Sequence, residues 1–214
     1  MAQDDSGDLT ARERAVEEIR RQLAGGRWAP GAILQESDLA AQMGLSKTPV
    51  REALLTLSEH GLIRPVARVG YRIPEISLRD IAEVFSLREL IECQVAADAA
   101  GLRGAASALS EATAAGPAER ERDFHQNLAA LAAGRRTQGF LRGLLAESQR
   151  FAAHLEPDGE RAARFLGEHN ALLDAVLAGD LMLARALMTV HLTHMRESFM
   201  ATLRQRLREQ SELP

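Results

Sequence analysis

Four side chains in the second half of the sequence have the types and spacing of a metal site. Glu121 precedes His125 by four residues, so on a helix the two side chains would share one face. His169 and His191 lie in two later segments, each among apolar neighbours. Neutral imidazole nitrogens and a carboxylate oxygen suit divalent transition metals. The four residues therefore predict a site for zinc, nickel, manganese or iron in the core of a helical bundle.

Simpler interpretations exist for these residues and their neighbours. A single histidine in an apolar helix is more often a hydrogen-bonded core residue than a ligand, and only the set favours a metal. His194, one turn beyond His191, could replace a ligand or contact one from outside. Arg88 is a further charged candidate in the same core. A salt bridge to Glu92, one turn later, would explain Arg88 equally well.

The segments that carry these residues have helical patterns. Apolar residues in this chain are mostly alanine and leucine, which favours helix over sheet. Breaks in the pattern fall at Gly104, Gly116-Pro117, Gly134, Pro157-Asp158-Gly159 and Gly179-Asp180. They predict an all-α bundle of about six helices over residues 76–214, with a domain boundary near residue 75.

A different pattern precedes that boundary. Residues 36–61, ESDLAAQMGLSKTPVREALLTLSEHG, predict two short helices joined by a turn at Gly44. The following IRPVARVGYRI alternates around Gly70 like a two-stranded hairpin. We therefore expect a winged helix-turn-helix with a small β wing over residues 10–75, after a disordered polar tail over residues 1–9. The expected fold class is mostly α.

Residues that could contact DNA cluster in the second helix of this motif and in its hairpin. The start of a recognition helix reaches base edges in the major groove, and arginine can form two hydrogen bonds to guanine. The candidate DNA contacts are Lys47, Thr48, Pro49, Arg51, Arg64, Arg68 and Gly70. Their local positive charge stands on a chain with a formal net charge of -4, which favours a groove-reading module over a general polyanion binder.

Composition restricts the cellular setting. The 214 residues are 46% hydrophobic and 26% charged, and the single cysteine, Cys93, excludes an intramolecular disulfide framework. No apolar run approaches the length that spans a membrane, and the N-terminus lacks the apolar core of a signal peptide. We therefore expect a soluble, cytoplasmic protein with no membrane partner.

Two parts of the sequence resemble known domains. Residues 26–73 are similar to the DNA-binding domain of the GntR family of bacterial transcription regulators. That similarity is carried by Pro30-Gly31, Leu39-Ala40, the run SKTPVREAL from Ser46 to Leu54, Gly61-Leu62 and Gly70. Residues 78–100, 121–131 and 168–192 resemble the helical FCD ligand-binding domain of the FadR-type branch of that family.

The resemblance implies a mechanism. Family members are symmetric dimers that insert the second helix into the major groove and lay the wing toward the minor groove, so the implied partner is an inverted-repeat operator. Metal-binding FCD domains have an aspartate where this chain has Glu121, and they sense small carboxylates at the metal. We therefore expect a homodimeric regulator, most simply a repressor, whose operator binding changes when a small organic acid binds. Arg88 is the candidate positive partner of that acid.

Two alternatives remain open. The same regulator could have a metal-free pocket for an apolar or acyl effector, with its histidines as a polar core. Alternatively, Glu121, His125, His169 and His191 could hold a metal that activates water, as in a hydrolase. No motif places a further carboxylate as a general base, and a hydrolase would leave the winged helix unexplained. We therefore expect a regulator and not an enzyme.

Overall fold

The computed structural model describes the backbone of residues 9–102, 117–155 and 159–212, and the side chains of residues 9–102, 123–155 and 165–212. The chain divides into two compact units, one ending at Glu75 and the other beginning at Ile76. Each unit buries a hydrophobic cluster of its own. Residues 1–8 of the predicted tail are not among the described residues.

The first unit is a winged helix. Its elements over residues 9–75 are α1 (Ala11–Ala24), β1 (Ile33–Leu34), α2 (Glu36–Met43), α3 (Lys47–Glu59), β2 (Arg64–Val66) and β3 (Gly70–Arg72). A capping box between Thr10 and Glu13 starts α1, and Gly44, with φ of 63°, ends α2. The strands form an antiparallel sheet in the order β1-β3-β2, in which Tyr71 pairs with both Leu34 and Pro65.

The core of this unit forms where apolar stripes of its helices meet the sheet. Ile19 of α1 and Leu54 of α3 are fully buried, together with Ile63 and Ile73 beside the strands. Since Val50, Leu54 and Leu57 repeat at helical spacing, one face of α3 is committed to the core. The opposite face is exposed to solvent at the start of the helix, where Lys47 and Arg51 lie.

The second unit is helical throughout its described part. Its five described helices are α4 (Leu78–Ala100), α5 (Pro117–Ala132), α6 (Arg135–Leu155), α7 (Gly159–Ala178) and α8 (Leu181–Ser211). Ser77 and Asp80 form a second capping box at the start of α4, and the Asp180 side chain accepts a hydrogen bond from the Leu183 amide at the start of α8. The expected fold class, mostly α with a small β wing, is confirmed.

The bundle core is mainly apolar but encloses a polar cluster. Phe85 of α4, Phe151 of α6 and Phe199 of α8 pack with ring centroids 5.8 and 6.4 Å apart. Among these apolar side chains the described part of the bundle also buries a group of polar ones: Arg88, Glu92, His125, Ser148, Arg150, His169 and His191. Buried polar atoms need partners, so the contacts within this group define what it can do. In the described residues, each helix is too short or too polar to cross a membrane.

Candidate metal centre and DNA-binding surface

Three histidines from three helices converge in the bundle core. His125 of α5, His169 of α7 and His191 of α8 are 1%, 6% and 0% exposed. The Nε2 atom of His191 lies 3.3 Å from Nε2 of His125 and 3.2 Å from Nε2 of His169. One nitrogen from each ring lies within 4.8 Å of the other two, so the three residues could hold a metal ion.

Two carboxylates contact the outer sides of two of these rings. Oε2 of Glu92 on α4 makes a close ion-pair contact with Nδ1 of His125. Glu168 of α7 accepts a hydrogen bond from Nδ1 of His191 through Oε2, at 3.0 Å. Oε1 of Glu168 also lies 2.6 Å from Nδ1 of His194. His194 thus meets the carboxylate that holds His191, and it lies outside the group of three converging histidines.

The ionised state of Glu92 follows from its neighbours. Complete burial alone would raise the pKa of this carboxyl, but the charge of Arg88 and the contact with His125 outweigh burial and lower the pKa to about 2. An ionised carboxylate only accepts hydrogen bonds, so Nδ1 of His125 must donate. Oε2 of Glu168 lies in the corresponding position beside Nδ1 of His191, and a carboxylate there would accept a hydrogen bond in the same way.

The protonation of Nδ1 fixes the chemistry of Nε2. A neutral imidazole carries one N–H, so a ring that donates from Nδ1 presents a lone pair at Nε2. In this tautomer the Nε2 lone pairs of His125 and His191 would face each other across 3.3 Å. A metal about 2.1 Å from both nitrogens, at an angle between octahedral and tetrahedral, would separate them by about 3.0 to 3.4 Å. The observed separations of 3.3 and 3.2 Å fall in that range.

Aromatic packing orients the third ring. His169 stacks on Phe124 with the ring centroids 4.3 Å apart and the planes inclined by 16°. Phe165 lies edge-on to His191 with a centroid distance of 6.0 Å. Aromatic rings thus cover one side of His169 and one edge of His191.

The structure describes only the backbone of the fourth predicted ligand, Glu121. The backbone of Glu121 belongs to α5, one turn before His125, and its side chain lies outside the described residues. Its role as a ligand therefore stays a prediction.

Arg88 lies next to the histidine cluster. It is fully buried on α4, its Nε donates to Oε1 of Glu92 at 2.6 Å, and its Nη1 donates to Oγ of Ser148 on α6 at 2.9 Å. The simpler interpretation of Arg88, a salt bridge to Glu92, is thus present in the structure. Glu92 contacts both Arg88 and His125, so the guanidinium lies one side chain away from the cluster. Contact with an effector stays a prediction.

Sequence reasoning did not find the two carboxylates that hold the histidines. Glu92 was considered only as a partner for Arg88, although a glutamate on the apolar face of a helix was a usable sign of a buried contact. Glu168 gave no comparable sign, because its contacts with His191 and His194 join two different helices.

The predicted DNA contacts on α3 lie at the exposed start of that helix. Lys47, Thr48 and Arg51 are exposed, and Pro49 is half-buried in the first turn. The Arg51 side chain is 69% exposed, and its Nε lies 3.9 Å from Oε1 of Glu36. Such an exposed ion pair contributes little stability, so Arg51 can exchange Glu36 for another partner at low cost.

The remaining predicted contacts lie in the β2-β3 hairpin. Arg64 is exposed on β2, and Arg68 is exposed in the turn with φ of 64°. Gly70 has φ of 137°, and a Cβ there would lie 2.3 Å from the carbonyl oxygen of Leu34. Glycine is thus required where β3 passes close to β1, and this approach fixes the base of the hairpin that presents the two arginines.

A winged helix with an exposed basic face defines a DNA-binding transcription regulator. The chain belongs to the gntR family of bacterial regulatory proteins, whose model matches residues 11–73. The model of the FCD domain matches residues 76–194, so both resemblances seen in the sequence are confirmed. Regulators of this family bind operator DNA.

Relatives of this chain are regulators too. It is 30% identical to an uncharacterized HTH-type transcriptional regulator in an unstable DNA locus of Streptomyces ambofaciens, over 81% of this chain and 78% of the relative. It is also 30% identical to a probable D-xylose utilization operon transcriptional repressor of Paenarthrobacter nicotinovorans, over 81% of each chain. The solved structure of E. coli McbR/YncC has the same fold, with a TM-score of 0.77, 21% identity and coverage of 93% of this chain and 100% of that one. The family and these relatives exclude the hydrolase alternative.

Proposed function

We propose that this protein is a metal-containing repressor that binds an inverted-repeat operator as a homodimer and responds to a small organic acid. One observation carries the metal part of the proposal: three buried histidines from three helices converge, with Nε2 of His191 3.3 Å from Nε2 of His125 and 3.2 Å from Nε2 of His169. The proposed ligands of a zinc, nickel, manganese or iron ion are Glu121, His125, His169 and His191. Its site of action would be the cytoplasm, where a bacterial operator is found.

Operator recognition is assigned to the two exposed basic regions of the winged helix. The first turns of α3 enter the major groove, where Arg51 pairs with a base edge and the preceding residues fix its approach. These preceding residues are Lys47, Thr48 and Pro49. The hairpin, with Arg64, Arg68 and Gly70, follows the backbone toward the minor groove.

The effector is proposed to be a small carboxylate. A metal held by Glu121, His125, His169 and His191 would supply positive charge that attracts carboxylate oxygens. Arg88 is proposed as the positive partner, because its buried guanidinium reaches the cluster through Glu92. Because Glu92 balances the charge of Arg88, the preference for an anionic ligand over a neutral one would come mainly from the metal.

The homodimer is proposed to form through α4 and α8. These neighbouring helices contact each other where Arg185 donates to the side chain of Gln94 and where Thr189 meets Cys93. Both helices carry large apolar side chains that are exposed in a single chain: Leu87 and Leu90 on α4 and Met182 and Val190 on α8. Leu90 is 76% exposed, and covering it would remove apolar surface from water.

Effector response requires that the two states of the dimer differ in affinity for the acid. If the acid binds more tightly to a state in which the winged helices no longer match the half-site spacing, it weakens operator binding by the same coupling free energy. The direction of this effect, release from the operator, is part of the proposal. A relative named as a repressor supports this choice.

The decisive experiment is elemental analysis of protein purified without a histidine tag. We expect near-stoichiometric metal in the parent, loss of metal in His169→Ala and retention in the control His154→Gln, which changes a histidine outside the cluster. A folded parent protein without metal would favour the metal-free pocket. In that pocket a proton between Nε2 of His125 and Nε2 of His191 would form a hydrogen bond. Failure to select an operator from random DNA would contradict the recognition part independently.

A further inference from the structure

We infer that Glu92 and Glu168 are positioning residues, which hold His125 and His191 in the tautomer whose Nε2 lone pair faces the centre of the cluster. For its metal-binding part, this inference rests on the proposed function. The two carboxylates come from different helices, α4 and α7, and each approaches its ring from the side opposite the cluster. The same arrangement of a carboxylate behind an imidazole thus occurs at two of the proposed ligands, with the two carboxylates on different helices.

Without these carboxylates the three histidines could form hydrogen bonds to one another instead. Nε2 of His191 lies within hydrogen-bond distance of Nε2 in both other rings, at 3.3 and 3.2 Å. If His191 carried its proton on Nε2, it could donate to His125 or His169 and use up the lone pairs that a metal needs. Glu168 opposes this self-closed state, because only the tautomer with Nδ1–H can donate to its carboxylate.

A carboxylate behind a ligating imidazole also changes binding strength. It fixes the ring orientation before the metal arrives and raises the basicity of the ligating nitrogen. Such partners typically contribute about 10- to 100-fold in metal affinity. Glu92 and Glu168 should therefore affect the affinity for metal, although neither belongs to the set of converging nitrogens.

Glu168 is the better residue for a test. Its side chain is 17% exposed and the His194 side chain is 33% exposed, so changes there leave no fully buried charge without a partner. Glu92 is 2% exposed and also balances the buried charge of Arg88. Its removal would cost folding stability for reasons unrelated to the histidines.

The first measurement reads the tautomer directly. Long-range nitrogen-proton NMR spectra of apo protein labelled with 15N-histidine report which nitrogen of each ring carries the proton. We expect His191 to be protonated on Nδ1 in the parent and in the control His194→Gln, which changes the contact of Glu168 with His194 and keeps its contact with His191. In Glu168→Ala, we expect the proton of His191 to move toward Nε2.

The second measurement is the zinc affinity of the same proteins, by competition with a chromophoric chelator. We expect a loss of about 10- to 100-fold in Glu168→Ala, a smaller loss in Glu168→Gln, which keeps an acceptor oxygen, and parent-like affinity in His194→Gln. Thermal unfolding of the apo proteins checks that each variant is folded.

The outcomes separate the inference from the proposed function. Parent-like zinc affinity together with the parent tautomer in Glu168→Ala would overturn the inference and leave the metal site standing. A parent that binds no zinc, but whose His191 tautomer depends on Glu168, would overturn the metal site and keep the positioning role of the carboxylate.

Discussion

Single side chains in the helical unit are buried at a cost in stability. Arg88 and Glu92 form a buried ion pair on α4, at 2.6 Å. Taking two charges out of water costs about as much as their attraction returns, so apolar residues would stabilise this position as well. The pair does place a carboxylate behind His125 in the core. Its position is therefore better explained by the requirements of the histidine cluster than by stability.

At the residue scale, Arg51 should determine base preference. We expect Arg51→Ala to lose about 1 to 3 kcal/mol of operator binding and to relax discrimination at one base pair of each half-site, because arginine reads guanine through two hydrogen bonds. Fluorescence anisotropy with a selected operator, and with single-base variants of it, measures both effects.

The controls for Arg51 distinguish base recognition from electrostatic attraction to the DNA backbone. Arg64→Ala should weaken binding to all sequences alike and lower the salt dependence by about one counterion, if Arg64 contacts a phosphate. Arg136→Ala, which removes an exposed arginine of the helical unit, should leave both quantities unchanged. Unchanged base preference in Arg51→Ala would contradict the assignment of α3 as the reading element.

Glu147 provides a prediction about pH. Burial on α6 raises the pKa of this carboxyl, Asp80 and Glu83 raise it further, and Arg150 only partly opposes them. A raised pKa in the folded state means that its contribution to stability is present at low pH and is lost as pH rises through that pKa. Glu147→Gln should therefore gain stability relative to the parent as pH rises from the ordinary glutamate pKa of 4.5.

Urea unfolding at about pH 4 and at about pH 8, on either side of the ordinary glutamate pKa, measures this difference. Glu197→Gln, an exposed position on α8, controls for the loss of one negative charge. An equal stability difference between Glu147→Gln and parent at both pH values would show that ionisation of Glu147 does not cost stability.

At the scale of elements, the sequence predicts local structure better than contacts between elements. The two capping boxes, Thr10 with Glu13 and Ser77 with Asp80, mark helix starts because their hydrogen bonds span only three residues. Strand β1 was not predicted, since its two residues are too few to show alternation. Helical spacing placed His169 and His191 on apolar faces, but spacing does not say which faces meet, so Glu168 was missed.

The wing depends on one close approach, which Gly70 allows. A methyl group at this position would meet the Leu34 carbonyl at 2.3 Å, and its φ of 137° is unfavourable for any other residue. We expect Gly70→Ala to separate β1 from β3, to destabilise the winged helix and to abolish tight operator binding. Calorimetry of the full chain and operator titration measure the two effects.

The matched control makes the same chemical change in the other unit. Gly143 lies within α6, and a Cβ there meets nothing within 4 Å. Gly143→Ala should stabilise the helical unit by about 0.5 to 1 kcal/mol, because glycine is a poor helix former. Operator affinity equal to that of the parent in Gly70→Ala would show that the β1-β3 contact is not needed for DNA binding.

At the scale of the whole molecule, recognition of an inverted repeat requires two copies of the winged helix. One copy carries a small basic face on a chain of net charge -4, so a monomer gains little from general attraction to DNA. Joining two such copies makes the second binding event intramolecular, which can add about 100-fold or more in affinity. Dimer formation through α4 and α8 would thus control operator occupancy.

Leu90→Glu tests this surface. Leu90 is 76% exposed on α4, so a glutamate fits a single chain without strain, but between two copies it would bury a charge without a partner. We expect Leu90→Glu to be a folded monomer by light scattering after size exclusion and to lose about 100-fold or more in operator affinity. Leu177→Glu makes the same substitution at a 45% exposed position on α7, and this variant should stay dimeric and bind the operator as the parent does. If Leu90→Glu is dimeric, the interface does not include this part of α4. If the parent is monomeric in solution but binds an inverted repeat tightly, the dimer forms on the DNA.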